Sequence, residues 1–180
     1  MVYMFLADGF EEVEALCPLD ILRRAGVEVT TVGVGGRDMI RGSHGITVQA
    51  DMPDTMFADA NPEMIILPGG MPGSKNLDAS RVVDSALRVA ARKGAFIAAI
   101  CAAPFLLGKR GLLEGKEAIC YPGFEKELTG ARISEKKVVR DGNIITAAGM
   151  GVALEFGLAL VTALKGEEAA NALRHAVLAE

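Results

Sequence analysis

The sequence predicts an α/β fold in which helices cover both faces of a mostly parallel sheet, and three observations lead to this prediction. First, 51% of the 180 residues are apolar and 23% are charged, and a chain of this length buries about 70% of the surface that it exposes when unfolded. Second, short apolar runs alternate with longer amphipathic stretches, as in parallel strands joined by crossover helices. Third, glycines follow several of these stretches, where helices commonly end. Together these observations favour a flavodoxin-like three-layer sandwich.

The core strands are expected at the short apolar runs, which are residues 2–7, 27–34, 64–67 and 95–100. Helices are expected at the amphipathic stretches, which are residues 11–25, 81–92 and 102–109. Gly26 and Gly94 stand at or near the ends of the first two helices, because glycine adopts the left-handed conformation of a helix cap without strain. The connections between these elements are therefore strand to helix and helix to strand.

Two further segments predict antiparallel hairpins at the edge of the sheet. Residues 37–50 alternate around two glycines, and residues 137–146 flank Asp141-Gly142, a strong hairpin signal. The chain then continues into two predicted helices, at residues 151–164 and 167–178. No repeat, low-complexity segment or linker is visible, so we expect one domain over residues 1–180.

Charge and cysteine content exclude several classes of function. The 19 lysines and arginines stand against 23 aspartates and glutamates, for a net charge of −4, so we expect neither a specific nucleic-acid site nor binding to an anionic membrane. Three cysteines do not form a disulfide framework, which favours a reducing cytoplasmic location. We expect no signal peptide, because the first residues include no basic segment, and no membrane helix, because the longest apolar run, residues 94–107, is shorter than the ~20 residues of such a helix.

The loop after the last core strand carries a candidate nucleophile, Cys101. Small residues two positions before and after it, Ala99 and Ala103, resemble the pattern of the nucleophile elbow, a tight turn that lifts its central residue out of the sheet. A helix that starts at this point would lower the pKa of the thiol. A buried structural cysteine is the alternative, and this segment alone favours neither interpretation. For Cys17 and Cys120 the structural interpretation is favoured.

The loop after the first strand carries three glutamates, Glu11, Glu12 and Glu14. Carboxylates in the first turn of a helix are stabilised by its dipole, and this ordinary explanation is favoured for the cluster taken alone. Helical geometry nevertheless places Glu11 and Glu14 on one face and turns Glu12 away by about 100°. One inward glutamate beside Cys101 could transfer protons if burial raises its pKa.

The loop after the third strand, residues 68–73, is rich in glycine. Its backbone N–H groups could approach a substrate oxygen and form an oxyanion hole with the N–H that follows Cys101, although Gly/Pro turns are common without any such role. The spacing matches neither a dinucleotide-binding motif nor a P-loop. His44 and His175 follow no core strand, so we expect both on the surface, and the sequence predicts no papain-like Cys-His pair, no metal and no cofactor.

Several ordered motifs together resemble one family. They are Glu11-Glu12-Val-Glu14, Ile65-Ile-Leu-Pro-Gly-Gly70, Ala98-Ala-Ile-Cys-Ala-Ala-Pro104 and Gly149-Met-Gly-Val-Ala-Leu-Glu-Phe-Gly157, with residues 19–26 and Asn76-Leu77 between them. In this order they resemble the DJ-1 branch of the DJ-1/ThiJ/PfpI superfamily, and the likeness is collinear along the chain.

The resemblance implies a homodimer with a reactive cysteine at Cys101 and its partner acid at Glu14. It implies an oxyanion hole from the backbone N–H groups of Gly70 and Ala102, with Gly69 beside them. It also places Asp20 and Arg24 near the site and the dimer contact. Members of this branch are described as glutathione-independent glyoxalases, as deglycases of proteins or nucleotides modified by methylglyoxal, and as oxidation-sensing stress proteins or chaperones.

The sequence departs from the family pattern at three positions. Tyr121 stands where many members have a histidine, and a phenol, which ionises near pH 10, cannot act as a base at neutral pH. Met150 replaces a frequent proline in the loop that closes the pocket, and Gly42 stands where some relatives have a peripheral cysteine. These changes affect the expected substrate and rate more than the pair Cys101 and Glu14.

The resulting functional prediction is a cofactor-free cysteine enzyme that acts on α-oxoaldehydes or on their protein or nucleotide adducts. The first alternative is an oxidative-stress sensor or chaperone that uses an oxidisable Cys101 without turnover. A catalytically inert dimer that only binds a partner is a third possibility. A PfpI-type protease or amidase is the weakest, because no histidine follows the elbow.

Overall fold

The computed structural model of the chain describes residues 1–58 and 60–179. Its strands, in chain order, are β1 (Val2–Leu6), β2 (Val29–Gly33), β3 (Met39–Arg41), β4 (Thr47–Gln49), β5 (Met52–Pro53), β6 (Met64–Leu67), β7 (Phe96–Ile100), β8 (Glu117–Ala118), β9 (Arg132–Ile133), β10 (Val138–Asp141) and β11 (Ile144–Ala147). Its α-helices are α1 (Glu12–Arg24), α2 (Gly73–Ala79), α3 (Arg81–Lys93), α4 (Pro104–Lys109), α5 (Ala153–Lys165) and α6 (Glu167–Ala176).

Seven strands form the central sheet in the order β10-β11-β7-β6-β1-β2-β5. Every neighbouring pair is parallel except β10 and β11, which are antiparallel. Helix α1 packs with α5, and α5 packs with α6 and the sheet, whereas α3 packs against β6 and β7. The predicted α/β fold with a flavodoxin-like three-layer arrangement is confirmed.

Alternation along the strands builds a core on each face of the sheet. In β1, Val2, Met4 and Leu6 belong to one buried apolar cluster, together with residues of α1 and α5. Phe5, which points the opposite way, belongs to a second cluster together with residues of α3 and α4. Burial on both faces explains why the central strands are continuously apolar in sequence.

The core strands and the long helices agree with the prediction to within a few residues. The hairpin predicted at residues 37–50 exists as the separate two-stranded sheet β3–β4. The hairpin predicted at residues 137–146 is also present, but its placement at the sheet edge holds for β10 alone, because β11 pairs with β7 inside the sheet and is fully buried.

Two helices differ from the prediction. The sequence predicts no helix at α2, because this short helix begins at the end of the glycine-rich loop of residues 68–73. Helix α4 begins at Pro104 rather than at residue 102, because the preceding residues form the turn that carries Cys101. Within the described residues, no helix combines the length and the apolar character needed to cross a membrane.

Candidate active site

Cys101 lies in a tight turn directly after β7. Its φ of 64° lies in the left-handed region that non-glycine residues rarely adopt, at a cost of about 1–3 kcal/mol. The Ala103 N–H closes the turn by donating to the carbonyl of Ile100 over 3.1 Å. The peptide group of Cys101 is held as well: its N–H donates to the carbonyl of Ala147 over 2.9 Å, and its carbonyl accepts from the N–H of Tyr121 over 2.8 Å. The cysteine therefore has the strained backbone of a nucleophile elbow.

Gly69 brings the elbow and helix α1 into contact. A Cβ atom at position 69 would lie 2.6 Å from the Cβ of Cys101 and would also collide with Oε2 of Glu14. The Gly69 carbonyl accepts a hydrogen bond of 2.9 Å from the N–H of Glu11. Only a residue without a side chain fits here, and its absence of bulk allows Glu14 to approach the thiol.

The three glutamates at the start of α1 have different partners. Glu11 caps the helix, where its Oε2 accepts a hydrogen bond of 2.7 Å from the N–H of Glu14. Glu12 points away, into the loop between β3 and β4. Glu14 is 1% exposed and lies beside Cys101. Among the described residues, its buried Oε2 has no hydrogen-bond partner.

Burial governs the electrostatics of this pair. It raises the pKa of Glu14 to about 7; contact with the Cys101 thiol opposes this rise, the charge of Glu11 adds to it, and the backbone amides of Gly69 and Met150 oppose it. Burial and the charge of Glu14 likewise raise the pKa of the Cys101 thiol to about 12. The expectation of a lowered thiol pKa is therefore wrong, because burial beside an acid outweighs the start of the six-residue helix α4.

The two acids are close enough to titrate as one unit. Loss of the first proton leaves a single negative charge that either the sulfur or the carboxylate can hold. The backbone amides of Ala102 and Gly70 interact with the Cys101 sulfur and oppose the rise of its pKa, so they stabilise the form with thiolate and protonated Glu14 relative to a site without them. The same two amides could bind an oxygen of a molecule attached to the sulfur.

Tyr121 and Met150 border this pair and are 52% and 53% exposed. The ring of Tyr121 would lie 3.3 Å from a Cβ atom at Gly149, and Oε1 of Glu14 would lie 3.9 Å from the same atom. The phenol therefore stands across Gly149 from the carboxyl. Met150 turns its backbone amide toward Glu14. Both residues are placed where they can shape access to Glu14.

Asp20 and Arg24 do not join the pair. They form an ion pair of 2.6 Å with each other, and both side chains are exposed. Asp20 follows Glu14 by six residues, which is about 9 Å along a helix. Asp20 and Arg24 thus share helix α1 with Glu14, but their side chains do not reach the pair. Their part in a dimer contact stays a prediction.

His44 is the neighbour of the site that the sequence did not reveal. Its side chain is 70% exposed, as expected, yet its Nδ1 lies 2.9 Å from Oε2 of Glu12 and 3.9 Å from Oε1 of Glu11. Nothing in the local sequence links it to α1, because the β3–β4 loop makes the contact through folding. The turn glycines Gly42 and Gly45 were the available signal.

The side chains of Glu11, Glu12 and His44 form one set of possible metal ligands in the described part of the chain. Their ligand atoms all lie within 4.8 Å of one another. Two arguments weigh against a metal. Oε1 of Glu12 already accepts the His44 N–H over 2.7 Å, and the positive end of the α1 dipole disfavours a cation. We describe the set as a hydrogen-bonded cluster.

The remaining cysteines have the surroundings of structural residues. Cys120 is 2% exposed, and burial raises the pKa of its thiol to about 11. Cys17 is half-buried in α1, and burial also raises the pKa of its thiol. Neither lies in a strained turn.

Comparisons with known proteins agree with these features. The sequence profile of the DJ-1/PfpI family matches residues 1–163. The protein dj-1beta of Drosophila melanogaster is 38% identical over 92% of this chain and 89% of its own length. A protein of Caenorhabditis elegans named glutathione-independent glyoxalase DJR-1.2 is 30% identical over 91% of this chain and 87% of its own.

Among solved structures, the oxidized form of Toxoplasma gondii DJ-1 superposes with a TM-score of 0.94 and 34% identity, covering 98% of this chain and 97% of the other. Fold, sequence profile and relatives above 30% identity lead to the same assignment. The chain belongs to the DJ-1/PfpI family.

Proposed function

We propose that the protein is a cofactor-free, cysteine-dependent enzyme that converts small α-oxoaldehydes such as methylglyoxal to 2-hydroxy acids. The observation that carries the proposal is the buried Glu14 carboxyl beside the Cys101 thiol, with the amides of Gly70 and Ala102 at the sulfur. The relative named a glutathione-independent glyoxalase supports it. The three thiols without a disulfide fit the reducing cytoplasm that we propose as its location.

The first step joins Cys101 to the aldehyde. In the reactive form the sulfur carries the negative charge and Glu14 carries the proton. The thiolate adds to the aldehyde carbon, a C–S bond forms, and the electron pair of the carbonyl π bond moves to its oxygen. The N–H groups of Gly70 and Ala102 stabilise this oxyanion until Glu14 donates its proton. The product is a neutral hemithioacetal, and Glu14 is now a carboxylate.

The second step moves a hydrogen between the two carbons. The Glu14 carboxylate removes the proton from the former aldehyde carbon, which gives an enediolate with its charge on the former ketone oxygen. Glu14 then returns this proton to the neighbouring carbon, while the proton of the hemithioacetal hydroxyl moves to the former ketone oxygen. The aldehyde carbon is thereby oxidised to a thioester and the ketone carbon is reduced to an alcohol, so no external oxidant is needed. Water hydrolyses the thioester, releases the 2-hydroxy acid and returns the proton to the pair.

In an adduct on a protein or nucleotide, the aldehyde carbon is bonded to an amine as a hemiaminal; the Cys101 thiolate displaces the amine, which leaves with the proton of Glu14, and the same hemithioacetal results. Tyr121 and Met150 are exposed beside the pair, so the carbonyl end of an adduct could reach Cys101 while the carrier remains outside.

We extend the proposal to a homodimer, which sedimentation of the purified protein tests.

Turnover is tested with methylglyoxal in the absence of glutathione, with lactate as the readout. We expect Cys101→Ser to abolish lactate formation, because the nucleophile is lost, and Glu14→Gln to reduce it at least ~100-fold, because the proton transfers lose their base. Cys17→Ser is the matched control and should retain wild-type activity. Equal yields from wild type and Cys101→Ser would contradict the proposal.

A second candidate, an oxidation sensor, is favoured by one specific observation. The structurally similar Toxoplasma gondii DJ-1 was solved in an oxidized form. With a pKa of about 7, Glu14 is partly protonated at neutral pH and could donate a hydrogen bond to a sulfinate at Cys101. Peptide mass spectrometry after mild peroxide treatment should then find oxygen on Cys101 first. Earlier oxidation of Cys17 or Cys120 would remove the basis of this candidate.

A further inference from the structure

The loop between β3 and β4 is seated on one buried carboxylate, that of Glu12. Oε1 of Glu12 accepts the backbone N–H of His44 over 2.7 Å, and Oε2 lies 2.9 Å from Nδ1 of the same residue. Ser43 adds a backbone hydrogen bond of 2.8 Å to the carbonyl of Phe10. Both the backbone and the imidazole of His44 are thereby fixed against the start of α1.

Gly42 makes this close approach possible. A Cβ atom at position 42 would lie 2.7 Å from Cγ of Glu12 and still closer to its carboxyl group. Glu12 is 4% exposed, so its carboxylate receives little compensation from water. Burial alone would raise the pKa of Glu12, but the hydrogen bonds from His44 and the loop lower it overall. The carboxylate therefore depends on the loop for its stabilisation.

Glu11 connects His44 to the reactive pair. One of its oxygens lies 3.9 Å from Nδ1 of His44, and the other accepts the N–H of Glu14 over 2.7 Å. The charge of Glu11 raises the pKa of Glu14. A positive charge on His44 offsets that of Glu11, so it acts on Glu14 through a residue that contacts both.

Among the described residues, the charged groups near His44 lie at the start of α1 and in its own loop. Glu11 and Glu12 face it from α1. Across the loop, the Arg41 guanidinium would lie 3.5 Å from a Cβ atom at Gly45. Asp8 is engaged elsewhere, with the Arg37 side chain and the Arg41 N–H. In the part of the chain that the structure describes, His44 is therefore the titratable cation in contact with Glu11 and Glu12, which precede Glu14 in the sequence.

We propose that His44 is a positioning residue for the pair Cys101 and Glu14: its cationic form offsets the charges of Glu11 and Glu12, and this sets the pH at which the pair releases its first proton. The inference rests on the proposed function only for the catalytic role of Cys101 and Glu14. The proton equilibrium itself exists whether or not methylglyoxal is turned over. In this way an imidazole outside the pocket influences a site that has tyrosine at position 121.

The sign of the effect follows from the charges. While His44 is protonated, an anionic pair is favoured, so deprotonation occurs at lower pH. The hydrogen bond with Glu12 raises the pKa of His44, so the cation persists above its ordinary range. When the pH rises further, His44 loses its charge and the pair becomes harder to ionise, which broadens its titration.

The pH profile of iodoacetamide labelling at Cys101 tests this inference, because its midpoint reports the first proton loss of the pair. We expect His44→Gln, which keeps polar contacts but loses the charge, to move the midpoint up by about half a pH unit and to sharpen the profile. His44→Lys should keep the midpoint at or below the wild-type value. His175→Gln, on α6, is the matched control and should leave the profile unchanged.

Two outcomes would overturn the inference. One is a midpoint in His44→Gln equal to that in His175→Gln. The other is an equal upward shift in His44→Gln and His44→Lys, which would mean that loop structure rather than charge is responsible. A lack of lactate formation by the wild type would reject the proposed glyoxalase activity, yet the order of these labelling midpoints would still decide the role of His44.

Discussion

At the scale of single residues, the properties of Cys101 and Glu14 come from where they are buried rather than from their positions in sequence. Glu14 is 1% exposed, so its charged form is disfavoured and its pKa rises to about 7. Glu12, two residues earlier, is 4% exposed but accepts several hydrogen bonds, which lower its pKa overall. Both side chains are nearly inaccessible, but burial dominates only at Glu14, which is packed more deeply, whereas hydrogen bonds from His44 and the loop outweigh burial at Glu12.

The raised pKa of Glu14 predicts a pH-dependent change in stability. An unfolded glutamate releases its proton near pH 4.5, whereas the folded one holds it to about pH 7. The free energy of unfolding should therefore fall by up to about 3 kcal/mol as the pH rises through this interval. Glu14→Gln cannot ionise and should lack this fall, so it should exceed the wild type in stability at pH 8. Urea unfolding at pH 5 and pH 8 measures both.

Glu11→Gln serves as the comparison for this experiment. It removes a helix-capping carboxylate but leaves Glu14 in place, so a fall in stability between pH 5 and pH 8 should persist. A Glu14→Gln variant whose stability follows the wild type at both pH values would argue against a protonated, buried Glu14.

Residue-level roles differ in how far the sequence could predict them. Small flanking residues left the nucleophilic and structural interpretations of Cys101 equally favoured, and helical spacing placed Glu11 and Glu14 on one face without separating them. The resemblance to the family singled out Cys101 and Glu14. His44 was not predictable, because its contacts with Glu11 and Glu12 join residues more than 30 positions apart. The thiol pKa was predicted in the wrong direction, since a helix start is visible in sequence but the depth of burial beside an acid is not.

At the scale of elements, helix α4 is held at both ends. Its start follows the strained elbow, and beyond its end Arg110 forms ion pairs with Asp78 at 2.8 Å and Asp84 at 2.9 Å. The Arg110 side chain is only 12% exposed, so these pairs are shielded from solvent. The ion pairs tie α4 to α2 and α3 and restrict the movement of the helix that follows Cys101.

This arrangement predicts that Arg110→Ala destabilises the fold by about 2 kcal/mol, because Asp78 loses its most buried partner in a partly buried network. Arg88→Ala provides the control: it removes an exposed ion pair with Asp84 and should cost less than ~1 kcal/mol. Thermal and urea unfolding would measure the difference. Equal losses in the two variants would show that burial of Arg110 contributes little.

Element boundaries were predicted best where one physical signal decides them. Gly94 ends α3 in the left-handed conformation, and glycine is the residue type that predicts a helix end at such a position. Helix α2 was missed because it begins among glycines and prolines, whose helical conformation depends on contacts with the segment around Gly9. The interior position of β11 was missed because strand order is a long-range property.

At the scale of the whole molecule, stability is concentrated where sheet and helix layers meet. β6, β7 and β11 are almost wholly buried, whereas β3 and β4 form a separate small sheet with mostly exposed residues. The site combines the two environments. Cys101 follows the rigid centre of the sheet, and His44 is carried by the peripheral hairpin.

Hydrogen exchange should resolve this difference. We expect the amides of β6 and β7 to exchange only on global unfolding, and those of β3 and β4 to exchange through local opening with a much lower free energy. Native-state exchange followed by mass spectrometry gives both values. Similar protection of the two regions would mean that the hairpin unfolds together with the core.

Among the described residues, backbone groups hold the peptide group of Cys101: its carbonyl accepts from the N–H of residue 121, and its N–H donates to the carbonyl of Ala147. The side chain at position 121 takes no part in these hydrogen bonds, so it can be replaced while Cys101 keeps its conformation. The scaffold is therefore open to redesign at this position. Tyr121→His would place an imidazole beside the unchanged turn of Cys101. This one substitution would decide whether Glu14 acts with or without a second base.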